Sequence, residues 1–167
     1  MKSKKIFILI IGLVFALNIQ AGDGDVSFNV AGGWQFDKTF NAVIALEKEI
    51  KYHNSYELYF DLANAYTFAP DGKIYSNTFW KYPSILGGLA YKPTLLRGKN
   101  TSLKMRGGAA LGVNKNGFEC GIDLGLEYSY SFKNRWKIFV WQKNDVVFWT
   151  RDHWRTGILI GVKIPIN

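Results

Sequence analysis

Two carboxylate pairs set four residues apart, Glu57 with Asp61 and Asp123 with Glu127, are the residues of this chain whose type and spacing could do chemistry. Bases stand elsewhere at Lys104, Arg106, Arg155 and Lys163. Such a set admits two readings: a path for protons or ions, or ion pairs that fill a closed interior. Nucleophilic catalysis would need a nucleophile, a base and an orienting acid within hydrogen-bond reach. His153 is followed by Trp154 and Arg155 with no serine nearby, so the His-x-Ser arrangement of lipid deacylation is absent. His53 stands near Ser55 and Glu57, a trio that chance often produces. There is no phosphate loop, HExxH pattern or cysteine cluster, and Cys120 with two distant histidines makes no metal-ligand set. These residues imply no enzyme, no cofactor and no metal.

The elements that must position the charges are strands. Phe118, Cys120, Ile122, Leu124, Leu126, Tyr128, Tyr130 and Phe132 alternate with Glu119, Gly121, Asp123, Gly125, Glu127, Ser129 and Ser131. Period two is the mark of a half-buried strand. The pattern recurs over 101–114, 154–166, 26–35 and 56–63, and more weakly over 39–50, 83–92 and 136–143. Eight strands are therefore expected, joined by segments with turn chemistry such as Pro70-Asp71-Gly72, Asn114-Lys115-Asn116-Gly117 and Lys133-Asn134-Arg135. The segment at 136–143 fits worst. Phe139 and Trp141 share a face with Lys137 and Lys143, and a bulge near Val140 would restore the register. The segment from Asn144 to Asp152 reads as a loop.

Before the strands, Met1-Lys2-Ser3-Lys4-Lys5 is followed by an apolar run from Ile6 to Leu17 and then by Ala21-Gly22. A basic start, a short apolar run and a small residue describe a secretory signal peptide over residues 1–21, too short for a membrane helix. No cysteine follows the run, which argues against a lipid anchor. Residues 22–167 are then expected to form a single domain. Its formal charge falls from +8 to about +5 without the three leader lysines, and the bases are scattered, so direct nucleic-acid binding is not expected. One cysteine cannot form an internal disulfide, so the exported domain must rely on burial or on closure.

A meander of eight strands can close with its apolar face inward, as in lipocalins, or outward, as in outer-membrane barrels. An eight-strand cylinder is just wide enough for side chains to fill it, whereas its outer wall has unlimited room. Gly108, Gly112, Gly121, Gly125, Gly157 and Gly161 lie on the polar face and the bulky residues on the other. The polar face is the narrow one, which selects an eight-stranded antiparallel up-and-down transmembrane β-barrel with a polar, side-chain-filled interior. Glu57, Asp61, Lys104, Arg106, Asp123, Glu127, Arg155 and Lys163 then form an interior charge cluster, with Arg106 beside Asp123 and Glu127. Tyr128, Tyr130, Phe132, Trp136 and Trp154 near strand ends read as an aromatic girdle toward lipid headgroups. Even strand number puts both termini at one end, and the longest loop, 67–82, at the other. Its Tyr75, Phe79, Trp80 and Tyr82 are a candidate binding surface or a continuation of the girdle. Asn29-Val30-Ala31-Gly32-Gly33-Trp34 resembles the lipocalin Gly-x-Trp signature, so a soluble lipocalin-like binder remains an alternative.

With the strands placed, the chain resembles the conjugal transfer protein TraO family. The resemblance rests on the opening GGW segment, "YELYFDLANAY", "RGGAALGV", "CGIDLGLEYSYSF" and the ending "VVFWTRDHWRTGILIGVKIPIN". It implies an exported component of a conjugative DNA transfer system in the cell outer membrane, with a structural or docking role. Its implied partners are outer-membrane lipids and other proteins of the conjugation apparatus, and it assigns no catalytic residue. The last residue, Asn167, departs from the aromatic terminus common in such barrels. An outer-membrane adhesin or defence-type barrel acting through its loops is the competing expectation.

Overall fold

A computed structural model describes residues 24–36, 38–75, 79–80, 82–149 and 153–166. The leader at 1–21 and Asn167 lie outside them. Alternating residues give nine strand segments: β1 (Val26–Gln35), β2 (Thr39–Glu49), β3 (Ser55–Ala65), β4 (Tyr82–Lys92), β5 (Thr94–Arg97), β6 (Thr101–Asn114), β7 (Gly117–Ser131), β8 (Lys137–Phe148) and β9 (Trp154–Pro165). Each pairs antiparallel with its sequence neighbours, apart from β4 and β5.

Two pairings close the ring. The first strand meets the last, from Ser27 opposite Pro165 to Gln35 opposite Gly157. Around the far side β4 pairs with β6, from Ser84 opposite Asn114 to Tyr91 opposite Gly107. Pro93 explains why β5 is separate. Proline has no N–H to give to a ladder and is confined in sheets to edges and bulges. Here its carbonyl accepts the Met105 N–H at 3.0 Å, and the register against β6 shifts between Thr94 and Leu96. The two segments are one interrupted strand, so the barrel has eight. Closure leaves no sheet edge, which is what a strand protein needs in lipid.

Burial alternates as the sequence does, and its sense is decisive. Lys92 and Arg106 are each 1% exposed, whereas Leu111 and Ile160 are 62% and 64% exposed. Charges are inside and large apolar side chains outside, the reverse of the lipocalin arrangement. The strands end close to where alternation placed them, with one exception. β8 needs no bulge at Val140. It runs in unbroken register with β7 and β9 and continues through Asn144 and Asp145 to Phe148. Phe139 and Trp141 point inward with Lys143, Asp145 and Val147. Neighbouring glycines give them room. A Cβ at Gly125 would lie 2.5 Å from Trp141 Nε1, and one at Gly161 would lie 2.5 Å from Phe139 Cζ.

Candidate functional site

The inward face of β2 carries Glu47, the centre of the interior. Its carboxylate accepts Lys163 at 2.5 Å, Lys92 at 2.9 Å and Lys104 at 3.1 Å, as well as Ser55 Oγ at 2.7 Å and Asn29 Nδ2 at 3.0 Å. Glu57 on β3 accepts Lys92 at 2.8 Å and Arg106 at 2.7 Å. Glu127 on β7 accepts Lys92 and Lys163, both at 2.5 Å. Arg106 on β6 also pairs with Asp123 on β7. Four carboxylates thus face four bases in the half of the barrel nearer the termini. Buried charges are tolerable only when paired and hydrogen-bonded in this way.

Glu47, Glu57 and Glu127 lie close enough to share a cation, with ligand atoms within 4.8 Å of one another. The Lys92 ammonium already sits among them and contacts all three. It occupies the place that a metal ion would take, so the trio needs no other counter-charge.

Beyond this layer the cross-section turns apolar. Ala31, Val43, Ala45, Tyr59, Leu86, Ala90, Ala110, Phe139, Trp141 and Leu159 form one buried cluster. Arg106 reaches into it, with its guanidinium 4.3 Å from the Tyr59 ring centre and 4.1 Å from that of Trp141. A planar cation between two aromatic faces is a favourable desolvated arrangement.

A second charge layer lies toward the long loop. Lys143 pairs with Asp61 at 2.5 Å and with Asp145, while Asn41 Nδ2 donates to Asp61 at 2.6 Å and Gln35 Nε2 to Asp145 at 2.8 Å. Above it Glu119 accepts Asn114 Nδ2 at 2.8 Å and Ser84 Oγ, with Arg155 at 3.9 Å. Buried polar atoms without a hydrogen-bond partner are spread along the interior: Gln35 Oε1, Asn41 Oδ1 and Asn64 Oδ1 toward the loop, Tyr59 Oη and Trp141 Nε1 in the belt, and Arg106 Nη1 with both Asp123 carboxylate oxygens where those two residues pair.

All eight residues expected to form the interior cluster are therefore buried, but they divide between two layers. One pairing needs correction. Arg106 meets Asp123 and Glu57, while Glu127 belongs to Lys92 and Lys163. Glu47, Lys92, Lys143 and Asp145 were missed, and Glu119, placed by alternation on the same face as Asp123, was left out of the cluster. Glu47 and Lys92 lie on the weakly alternating segments, and Asp145 falls where the sequence suggested a loop. Continuing period two past Lys143 would have found it.

His53, Ser55 and Glu57 do not assemble. His53 Nδ1 lies 2.5 Å from Glu49 Oε1, Ser55 Oγ donates to Glu47, and Glu57 is held by Arg106 and Lys92. His153 Nδ1 lies 3.1 Å from the Val147 carbonyl. On the outer wall Tyr128, Tyr130, Phe132 and Trp136 are exposed toward the terminus end, and Trp154 toward the loop end. Of the candidate loop aromatics, Phe79 is folded onto the rim. It lies within 6.1 Å of Phe40 and Tyr66 and packs edge-on to Trp80, and its carbonyl accepts Asn64 Nδ2 at 2.6 Å. Tyr75, Trp80 and Tyr82 are exposed.

No protein-family model and no curated protein matches the chain. Solved structures do. A major outer membrane protein from Thermus thermophilus is similar with a TM-score of 0.62 at 10% identity, covering 86% of this chain and all of that one. A chain from the de novo design of transmembrane β-barrels has a TM-score of 0.52 at 12% identity, over 89% of this chain and 100% of its own. A second designed barrel, solved by NMR, has a TM-score of 0.51 at 15% identity, over 89% of this chain and 99% of its own. At these identities the likeness concerns fold, and it agrees with the inside-out burial. The chain is a closed eight-stranded antiparallel β-barrel of the outer-membrane type.

Proposed function

We propose that this barrel is a structural or docking component of a conjugative DNA transfer apparatus in the outer membrane, working through its rims and loops and not through a lumen. The observation that carries the second half is the interior: an apolar belt with Tyr59, Phe139, Trp141 and Leu159, bounded on both sides by paired charges. A cross-section filled with side chains suits a scaffold and leaves no space for a DNA strand. The first half rests on the resemblance of the GGW opening, "RGGAALGV" and the glycine-punctuated final strand to the TraO family. The barrel itself would contact lipids and other proteins of the apparatus, and not the DNA. Deleting the encoding gene from a transfer-competent element should abolish DNA transfer, with recovery on complementation. The purified barrel should give no stable conductance in a planar bilayer. Unchanged transfer frequency would remove the conjugative role, and steady open-channel currents would remove the scaffold.

A further inference from the structure

The outer ends of the strands are not equivalent around the barrel. On the side formed by β5 to β8, two adjacent turns carry Arg97, Lys99, Lys133, Arg135 and Lys137, and neither 93–118 nor 128–144 contains an acidic residue. The turns are neighbours: the Ser131 N–H donates to the Asn100 carbonyl at 2.7 Å, and Ser131 is paired with Lys137. Two carboxylates reach this arc from across the mouth, Asp25, which lines the same cleft as Arg135 and Lys137, and Glu49. Glu49 lies 3.7 Å from Arg97 and 3.6 Å from Lys137. Lys99, Lys133 and Arg135 are exposed and have no carboxylate partner among the described residues.

The turn that carries Arg135 uses the same left-handed backbone as Lys38, Tyr52, His53 and Trp149 elsewhere in the chain. Arg135 has φ +67°, a left-handed conformation in which glycine or asparagine is the ordinary occupant. Its N–H donates to the Phe132 carbonyl at 3.1 Å, and the Phe132 N–H to the Trp136 carbonyl at 2.8 Å, so the tight turn depends on that conformation. Immediately beside these bases, on the lipid-facing wall, Leu95, Leu96, Tyr128, Tyr130, Phe132 and Trp136 are exposed. Apolar and aromatic groups at acyl depth, with unpaired cations just beyond them, match both parts of a charged lipid.

We infer that this arc is a binding site for the phosphate headgroups of anionic phospholipids, with Lys99, Lys133 and Arg135 as the contacting bases. The inference rests on the barrel standing in a membrane. A polyanion such as DNA would be drawn to the same charges, but it has no use for the apolar wall that continues below them.

The test is a titration of detergent-folded barrel with short-chain phosphatidylglycerol, read from amide shifts at Lys99, Lys133 and Arg135. Short-chain phosphatidylcholine, inorganic phosphate and a short DNA duplex serve as parallel arms. Phosphatidylglycerol should bind well ahead of phosphatidylcholine and of free phosphate. The triple variant Lys99→Gln, Lys133→Gln, Arg135→Gly should weaken that binding by at least about tenfold, since each base near an anionic surface is worth about fivefold. Its unfolding midpoint on a gel should not fall, because glycine suits position 135. Lys73→Gln with Lys115→Gln at the other end should change nothing. Equal binding of the two lipids, or an unaffected triple variant, would overturn the assignment. Free phosphate binding as tightly as the lipid would make this an anion site without a lipid. Tighter DNA binding at the same turns would make it a polyanion surface. A chain that stays soluble without detergent would instead fail the membrane reading, a separate result.

Discussion

The two charge layers of the interior are built from the same residue types and differ in completeness. Nearer the termini, four carboxylates meet four bases, and Lys92 and Glu47 each hold three partners of opposite sign. Toward the loop, Asp61, Asp145 and Glu119 face two bases, Lys143 and Arg155, and the amide oxygens of Gln35, Asn41 and Asn64 are buried without partners, whereas in the other layer the atoms left without a hydrogen bond are those of the Arg106–Asp123 pair. A satisfied network in a low-dielectric interior is rigid, and removing one member leaves an uncompensated charge. An incomplete layer has less to lose. The barrel should therefore be held chiefly from its terminus-side half.

The largest effect is expected at the residue that joins that half to the apolar belt. Arg106→Met strands Asp123, leaves Glu57 with Lys92 as its one base, and removes the cation from between Tyr59 and Trp141, which should cost about 3–5 kcal/mol. The unfolding midpoint of the folded band on a gel would fall accordingly. Adding Asp123→Asn, which restores the charge balance of the layer, should recover much of the loss, whereas adding Glu127→Gln should not, because Glu127 serves other bases. Lys143→Met, the matching cut in the loop-side layer, should lower the midpoint less. A larger loss from Lys143→Met would reverse the comparison.

A steric change of intermediate size comes next. Gly161→Ala places a methyl against the Val30 carbonyl oxygen and 2.5 Å from Phe139 in the belt, and overpacking of this kind costs about 1–3 kcal/mol. Phe139→Leu in the same chain should relieve part of the cost. If it does not, the Val30 carbonyl, and not the ring, sets the cost.

How much of this was legible in the sequence depended on the local contrast between faces. On β7 glycine and acid alternate with bulky residues throughout, so fold, sense of closure and the inward placement of Asp123 and Glu127 could be read directly. On β2 the inward face is Thr39, Asn41, Val43, Ala45 and Glu47, and its mixed character hid the central carboxylate. On β8 the inward aromatics broke the rule that the narrow face carries small residues. Their room comes from Gly125 and Gly161 on the two flanking strands, a complementarity that no single segment displays. Partner choice was also out of reach. Alternation says which residues point inward, but which base meets which acid depends on cross-barrel distances, as the exchange of Glu127 for Glu57 beside Arg106 shows.

The smallest effect lies outside the barrel wall, in the long loop. The Tyr75 hydroxyl donates to Asp71 at 2.5 Å, and with the Lys73 N–H at 3.1 Å it holds the exposed Asp71 carboxyl below its ordinary range. A depressed folded-state value means that the contact stabilises the loop above the ordinary carboxylate range and is lost as pH falls through the lowered value. An NMR titration should place Asp71 below a free aspartate, and Tyr75→Phe should bring it nearer. The barrel's own midpoint should not follow this titration.

The central claim, that the polar face is inside and the apolar face meets lipid, is tested most directly on three consecutive uncharged residues of β6. Ala109 and Leu111 face outward and Ala110 is buried within the barrel. Single cysteines at these positions, in a Cys120→Ser background, would be treated with a nitroxide thiol label after folding into vesicles, and labelled sites compared for collision with oxygen and with a water-soluble relaxer. Lipid-like signals are expected at Ala109→Cys and Leu111→Cys, strong with oxygen and weak with the aqueous relaxer, with no labelling of Ala110→Cys until the barrel is unfolded. Aqueous exposure at Ala109→Cys and Leu111→Cys would contradict the account.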